Sequence, residues 1–353
     1  MQQAEDRYQA GQLPEAIALW QQAATLYDHQ GDSLNHALVH SFLAAAFEDL
    51  GQWAQATAAI DQALSLVQAE SASSVDRSLA LAQVLTTQGK LQLAQGKAVE
   101  AVETWQQAEA AYRKANDSSG IVGSQINQAR ALQAAGLYRR ATILLTQAET
   151  SLQNQPDPRL KVTGLRNLGK ILRLVGNLKQ SRIVLEQSLA ILQDGTPQSA
   201  ADIAGILLSL GNTTRAQGET DSALTFYQQA AATAPSLTAK TQVQLVQLSL
   251  LLEADRPTEA QRLLPDIQSQ LAKLPPGRLA AYARINLSQS LIKLRIKQSK
   301  TLSTPPSPPL TTTANLLATA IQQVRAIGDR RTESYALGTL GNLYETTQQW
   351  GQR

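Results

Sequence analysis

The chain has 353 residues, no cysteine and a formal net charge of only +3. That excludes disulfides, thiolate catalysis and Cys-ligated metal sites, and it gives none of the concentrated basic excess of a nucleic-acid binder. Aromatics are 4% of the residues, so a core must come mainly from Ala, Leu, Ile and Val. There is no apolar run of about 18 residues, so no membrane span is expected.

The segments read in chain order as helices in pairs. First helices are expected to start near residues 2, 33, 75, 119, 158, 198, 238 and 278, and second helices near 13, 53, 98, 138, 178, 220, 257 and 313. A final unpaired helix is expected from about 331. The pairing rests on an internal repeat. Five, nine and twelve residues after Gly218 stand Ala223, Tyr227 and Ala230. The same offsets give Ala16, Trp20 and Ala23 after Gly11, and Ala56, Ile60 and Ala63 after Gly51. They give Ala101, Trp105 and Ala108 after Gly96, Ala141, Leu145 and Ala148 after Gly136, and Ser181, Leu185 and Ser188 after Gly176. Asp255 opens a weaker copy with Ala260, Leu264 and Ile267. Seven residues before the anchor lies another small residue: Ala44, Gly89, Ala129, Gly169 and Gly211, with Gly341 near the end. Self-similarity at a period near 40 residues marks a repeat architecture.

Each unit holds two amphipathic helices with apolar residues at helical spacing. The anchor glycine ends the first helix, because glycine adopts a left-handed C-terminal conformation at little cost. Small residues let the two backbones approach. The large residue is expected to fill the groove between units. In the eighth unit Arg295 stands where the anchor would fall. Residues 297–313, rich in Pro and Thr, are expected to form an exposed loop inserted in repeat eight. Its PPSPP core could serve as a polyproline ligand, but a tolerated insertion is favoured. Trp350 sits where Trp53 and Tyr138 sit in their units, at the start of a second helix. A lone last helix leaves an apolar face uncovered. The expectation is a fragment of a longer chain, or self-association through that helix. The polar N-terminus is no signal peptide. The compartment is expected to be cytoplasmic if the native chain starts at Met1, and exported if a signal segment was removed upstream.

The recurring small–large–small placement, and the stretch IGDRRTESYALGTLGNLYETTQQW at 327–350, resemble the tetratricopeptide repeat family in its longer variant. That variant occurs in kinesin light chains, spindle-orientation adaptors and bacterial arrays that often precede a caspase-like CHAT peptidase domain. The resemblance covers nearly all of the chain. It implies an all-α fold: one domain, residues 1–353, forming a right-handed superhelical α-solenoid of antiparallel helix pairs. It also implies a non-catalytic scaffold that binds a protein or peptide partner in a concave groove. The alternative is the regulatory region of a larger protein with a C-terminal effector such as a CHAT peptidase.

No constellation in the sequence carries chemistry. His36 and His40 stand four apart on one helix, a workable metal-ligand spacing, but no third ligand lies at a fixed distance. The expectation is no metal and two partly exposed helix residues. GxGxxG, GxxxxGK[ST] and GxSxG do not occur, and no cofactor is expected. The carboxylates Glu48 and Asp49 are expected to be solvated. In the family that the repeat resembles, first-helix residues line the concave surface. The residue after the small position is Lys90, Arg130 and Lys170 in repeats three to five, which stacks them as a ladder. Arg173 and Arg215 follow three residues further on in repeats five and six, and Arg166 lies one turn before Lys170. Lys90, Arg130, Arg166, Lys170, Arg173 and Arg215 are therefore the expected contacts for an acidic peptide or a carboxylate terminus. Asn127, Asn167 and Asn212 lie near the faces that a chaperone-type carboxylate clamp would use. The ladder positions themselves are mainly basic, so a chaperone tail is not the expected ligand.

Overall fold

Left-handed residues decide where the first helix of each pair stops. In the computed structural model, which describes residues 1–70, 74–193, 199–298 and 309–346, the six anchor glycines have φ between 71° and 84°. Asp255, the anchor of the weaker copy, adopts the same conformation at φ 59°. The turn after Gly51 shows what this achieves. Gly51 N donates to Glu48 O at 3.0 Å and Gln52 N to Phe47 O at 2.8 Å. Two carbonyls left over at the helix end are thereby satisfied. The chain enters the next helix at once, and that helix needs no side-chain cap at Gln52.

Seventeen helices occupy the described residues: α1 (Gln2–Gln9), α2 (Leu13–Gln30), α3 (Ser33–Asp49), α4 (Trp53–Ala69), α5 (Val75–Ala94), α6 (Ala98–Lys114), α7 (Ser118–Ala134), α8 (Tyr138–Gln153), α9 (Pro158–Leu174), α10 (Leu178–Gln193), α11 (Ala200–Ala216), α12 (Thr220–Thr233), α13 (Leu237–Glu253), α14 (Pro257–Lys273), α15 (Arg278–Gln298), α16 (Leu310–Ala326) and α17 (Arg330–Thr346). No strand occurs among these residues. The helices group into two units, Met1–Tyr8 with Pro14–Asp202, and Gln9–Leu13 with Ile203–Arg353. Within the first unit the hairpins α3–α4, α5–α6, α7–α8 and α9–α10 follow one another, and α3, α5, α7 and α9 lie side by side. Within the second unit α13, α15 and α17 do the same.

The small and large positions form the core as a set. Trp105, Leu185 and Tyr227 are 0% exposed, as are Ala101, Ala108, Ser181, Ser188, Ala223 and Ala230. As expected from sequence, a large residue can meet the neighbouring pair: Trp20 stacks on Phe42 of α3 with ring centroids 5.6 Å apart. The large residue also packs onto the small residue of its own hairpin. A Cβ added to Gly89 would lie 2.6 Å from the Trp105 ring, one on Gly211 2.5 Å from Tyr227, and one on Gly169 2.5 Å from Leu185. Alanine takes the same position as Ala44 and Ala129, in the pairs whose second helices carry Ile60 and Leu145. Serine at a small position adds a bond: Ser181 Oγ donates to Gly169 O at 2.7 Å and Ser188 Oγ to Val162 O at 3.0 Å.

The stretch 297–313 is shorter as a break than the sequence suggests. Helix α15 runs through Gln298, carrying Arg295 inside it, and α16 already begins at Leu310. Lys and Gln are good helix formers, and Pro309 stands at the N-cap of α16, where a missing N–H forfeits no helical bond. The rest of the expected loop, 299–308, and Trp350 lie outside the described residues.

Candidate functional site

In the first unit, the residue after each small position of α5, α7 and α9 is exposed. Lys90, Arg130 and Lys170 are all exposed, because their neighbours Gly89, Ala129 and Gly169 face the second helix. Arg173, one turn after Lys170, is half-buried. No side chain of these four makes a hydrogen bond or ion pair among the described residues. Loss of water around its ammonium, and then the nearby Arg166 charge, hold the Lys170 pKa below the usual lysine value.

Two of the six expected contacts are already engaged. Arg166 Nη1 lies 3.0 Å from Asp202 Oδ1 in a pair that is partly shielded from water. Arg215, in the second unit, pairs with Glu253, whose other oxygen lies 3.8 Å from Lys293 Nζ and accepts from Ser249 Oγ at 3.2 Å. Arg215, Ser249, Asn286 and Gln289 line a recess of about 180 Å³ there. Sequence reasoning missed Asp202, Glu253 and Lys293. The signal was an opposite charge about one repeat away, 36 residues on for Arg166 and 38 for Arg215. Glu48 and Asp49 are half-buried and not simply solvated, and Asp49 accepts from Tyr8 Oη at 2.7 Å. Asn212 accepts from Tyr227 Oη at 2.8 Å, so it supports the core ring.

One of the two histidines also differs from expectation. His36 is buried, not partly exposed. Its Nε2 lies 3.0 Å from His40 Nε2, so one ring donates to the other, and its Nδ1 lies 3.7 Å from Asp28 Oδ1. Burial, then the neighbouring His36, lower the His40 pKa to about 4. In α17, the helix expected to self-associate, a Cβ on Gly338 or Gly341 would meet nothing within 4 Å.

Residues 206–240 match the family model of the tetratricopeptide repeat. No curated protein sequence matches the chain. Solved structures of similar fold include a Rap protein crystallised in complex with competence and sporulation factor, 13% identical, with a TM-score of 0.51 over 99% of this chain and 97% of that one. Another is aspartyl phosphate phosphatase F from Bacillus subtilis, 10% identical, with a TM-score of 0.51 over 98% and 92%. A putative kinesin light chain from Podosopora anserina with nearly identical TPR-like repeats is 22% identical, with a TM-score of 0.44 over 54% and 94%. At such identities likeness shows the fold alone. The match at 206–240 lies inside a run of antiparallel helix pairs, and the fold is that of an all-α helical repeat array.

Proposed function

We propose that the chain is a protein-interaction scaffold whose first unit receives an acidic peptide segment of a partner across Lys90, Arg130, Lys170 and Arg173. The observation that carries this reading is that Lys90, Arg130 and Lys170 are exposed at one register of successive first helices, and that none of the four cations has a carboxylate partner among the described residues. Arg166 and Arg215 stand apart from the proposed contacts, since Asp202 and Glu253 already compensate them. A structure of the same fold has been crystallised with a factor bound, which agrees with capture of a ligand by such an array. Each exposed ion pair contributes only about 0–1 kcal/mol. Four together with apolar contacts reach a micromolar complex, about −8 kcal/mol.

The test is fluorescence anisotropy of a labelled hexaglutamate peptide with the full chain, against hexaglutamine as control. Changing Lys90, Arg130 and Lys170 together to Glu is expected to weaken hexaglutamate binding at least tenfold and to flatten its dependence on salt. An affinity unchanged by the triple reversal would overturn the proposal.

A further inference from the structure

Four residues before the small position, several first helices carry a buried side chain. The residue there is Leu85 in α5, Leu165 in α9 and Leu207 in α11, buried at 5%, 0% and 5% exposure. In α15, where Ser288 occupies the small position, it is Arg284, only 9% exposed. A cation is buried at a register that holds leucine in α5, α9 and α11 and a neutral polar residue, Gln125, in α7. Its partners are neutral: Nη1 donates to Gln323 Oε1 at 3.2 Å and Nη2 to the Leu271 carbonyl at 3.3 Å. No ion pair to it occurs among the described residues, and the sequence of 299–308 contains neither Asp nor Glu. Burial pushes its pKa below the usual arginine value, yet a guanidinium stays charged at neutral pH. A buried charge without a counter-charge is unfavourable, and leucine would fit this register without that penalty.

Beside Arg284 a recess of about 460 Å³ opens between α14, α15 and α16. Leu271, Ala272 and Leu316 give it apolar walls, and Gln268 and Thr312 add polar groups. A single planar fork of donors in an apolar recess matches one carboxylate, which accepts two parallel N–H bonds and balances one charge. A phosphate would bring a second charge that nothing in the lining answers.

We propose that this recess is a binding site for a small carboxylate with a short apolar tail, its charge against Arg284 and its tail against Leu271, Ala272 and Leu316. The site is independent of the row of cations in the first unit. Isothermal titration of the full chain with sodium hexanoate tests it. Saturable binding at one site is expected, with acetate and hexanamide each at least tenfold weaker. Arg284→Leu, which gives the residue found at this register in α5, α9 and α11, is expected to weaken hexanoate at least tenfold. Ala272→Trp, which fills the recess and leaves the guanidinium, is expected to do the same. N-acetyl-leucine against N-acetyl-leucinamide tells a peptide C-terminus from a free acid as the source of the carboxylate: binding of the first and not the second makes a peptide end a competent ligand, and binding of hexanoate with neither restricts the site to free acids. Absence of hexanoate binding, equal binding of hexanamide, or undiminished binding by Arg284→Leu would each overturn the proposal. The hexanoate–hexanamide contrast uses the unaltered chain, so it decides the matter even if a variant does not fold.

Discussion

Gly89 and Gly123 are both helical glycines, and their surroundings are opposite. A Cβ on Gly89 would stand 2.6 Å from Trp105 Cε2 and 2.7 Å from Nε1, the atom that donates to Thr86 O at 3.2 Å. A Cβ on Gly123 would meet nothing within 4 Å. Alanine in place of helical glycine gains about 0.5–1 kcal/mol, whereas overpacking a tight core contact costs roughly 1–3 kcal/mol. Gly123→Ala is therefore expected to stabilise the fold by about 0.5–1 kcal/mol. Gly89→Ala should lose about 1–2 kcal/mol net, because the clash outweighs the backbone gain. Urea unfolding of the two variants reads this directly, and a Gly89→Ala protein as stable as the parent would refute the close-approach account. The small sites themselves were legible in the sequence, because the same offsets recur with one kind of residue. That the ring also rests on the small residue of its own first helix was not legible. An offset along one helix names a face, but it does not say which neighbouring helix that face meets.

At the scale of the helix, stops and starts are combined in dipeptides. Gly31, Asn116 and Gly328 have positive φ, and each is followed by the aspartate that opens the next first helix. Asp32 accepts from Asn35 N at 3.0 Å, Asp117 from Gly120 N at 2.9 Å and Asp329 from Thr332 N at 2.9 Å. Asp329 differs from the others in being 1% exposed, in accepting also from Thr332 Oγ1 at 2.6 Å, and in lying 3.4 Å from Arg278 Nε. Removing an ordinary cap costs about 1 kcal/mol, and removing one partner of a buried charge pair about 3–5 kcal/mol. Asp117→Ala should thus lose about 1 kcal/mol, and Asp329→Ala at least twice as much, with Asp329→Asn between the two. Equal losses for both alanine variants in thermal or urea unfolding would show that the Arg278 contact contributes nothing. Helix starts were readable from the apolar period and the anchor glycines. The reach of α15 to Gln298 and of α16 back to Leu310 was not, since Pro and Thr argue against helix except at a first turn, where Pro309 and Thr311 fall.

For the molecule as a whole, what counts is how far along the chain an interaction reaches. The row of exposed cations was legible because register alone fixes the side of a helix that a residue occupies. The pairing of Arg166 with Asp202 and of Arg215 with Glu253 was not, because each partner comes from the following repeat and its rotamer is not written in the spacing. In a repeat array the contacts that hold a residue come from its own hairpin and the adjoining ones. Trp105 meets Gly89 and the Thr86 carbonyl in α5, and its own carbonyl accepts from Gln128 Nε2 of α7 at 3.4 Å. Truncating it to Ala removes a fully buried ring and should cost about 3–5 kcal/mol. That loss is expected to fall locally, with faster amide exchange in α5, α6 and α7 and unchanged protection in α13, α14 and α15. Hydrogen exchange followed peptide by peptide separates this from the alternative. If Trp105→Ala lowered protection evenly along all the helices, the chain would unfold as one cooperative body, and stability could not be a sum of neighbouring hairpin contacts.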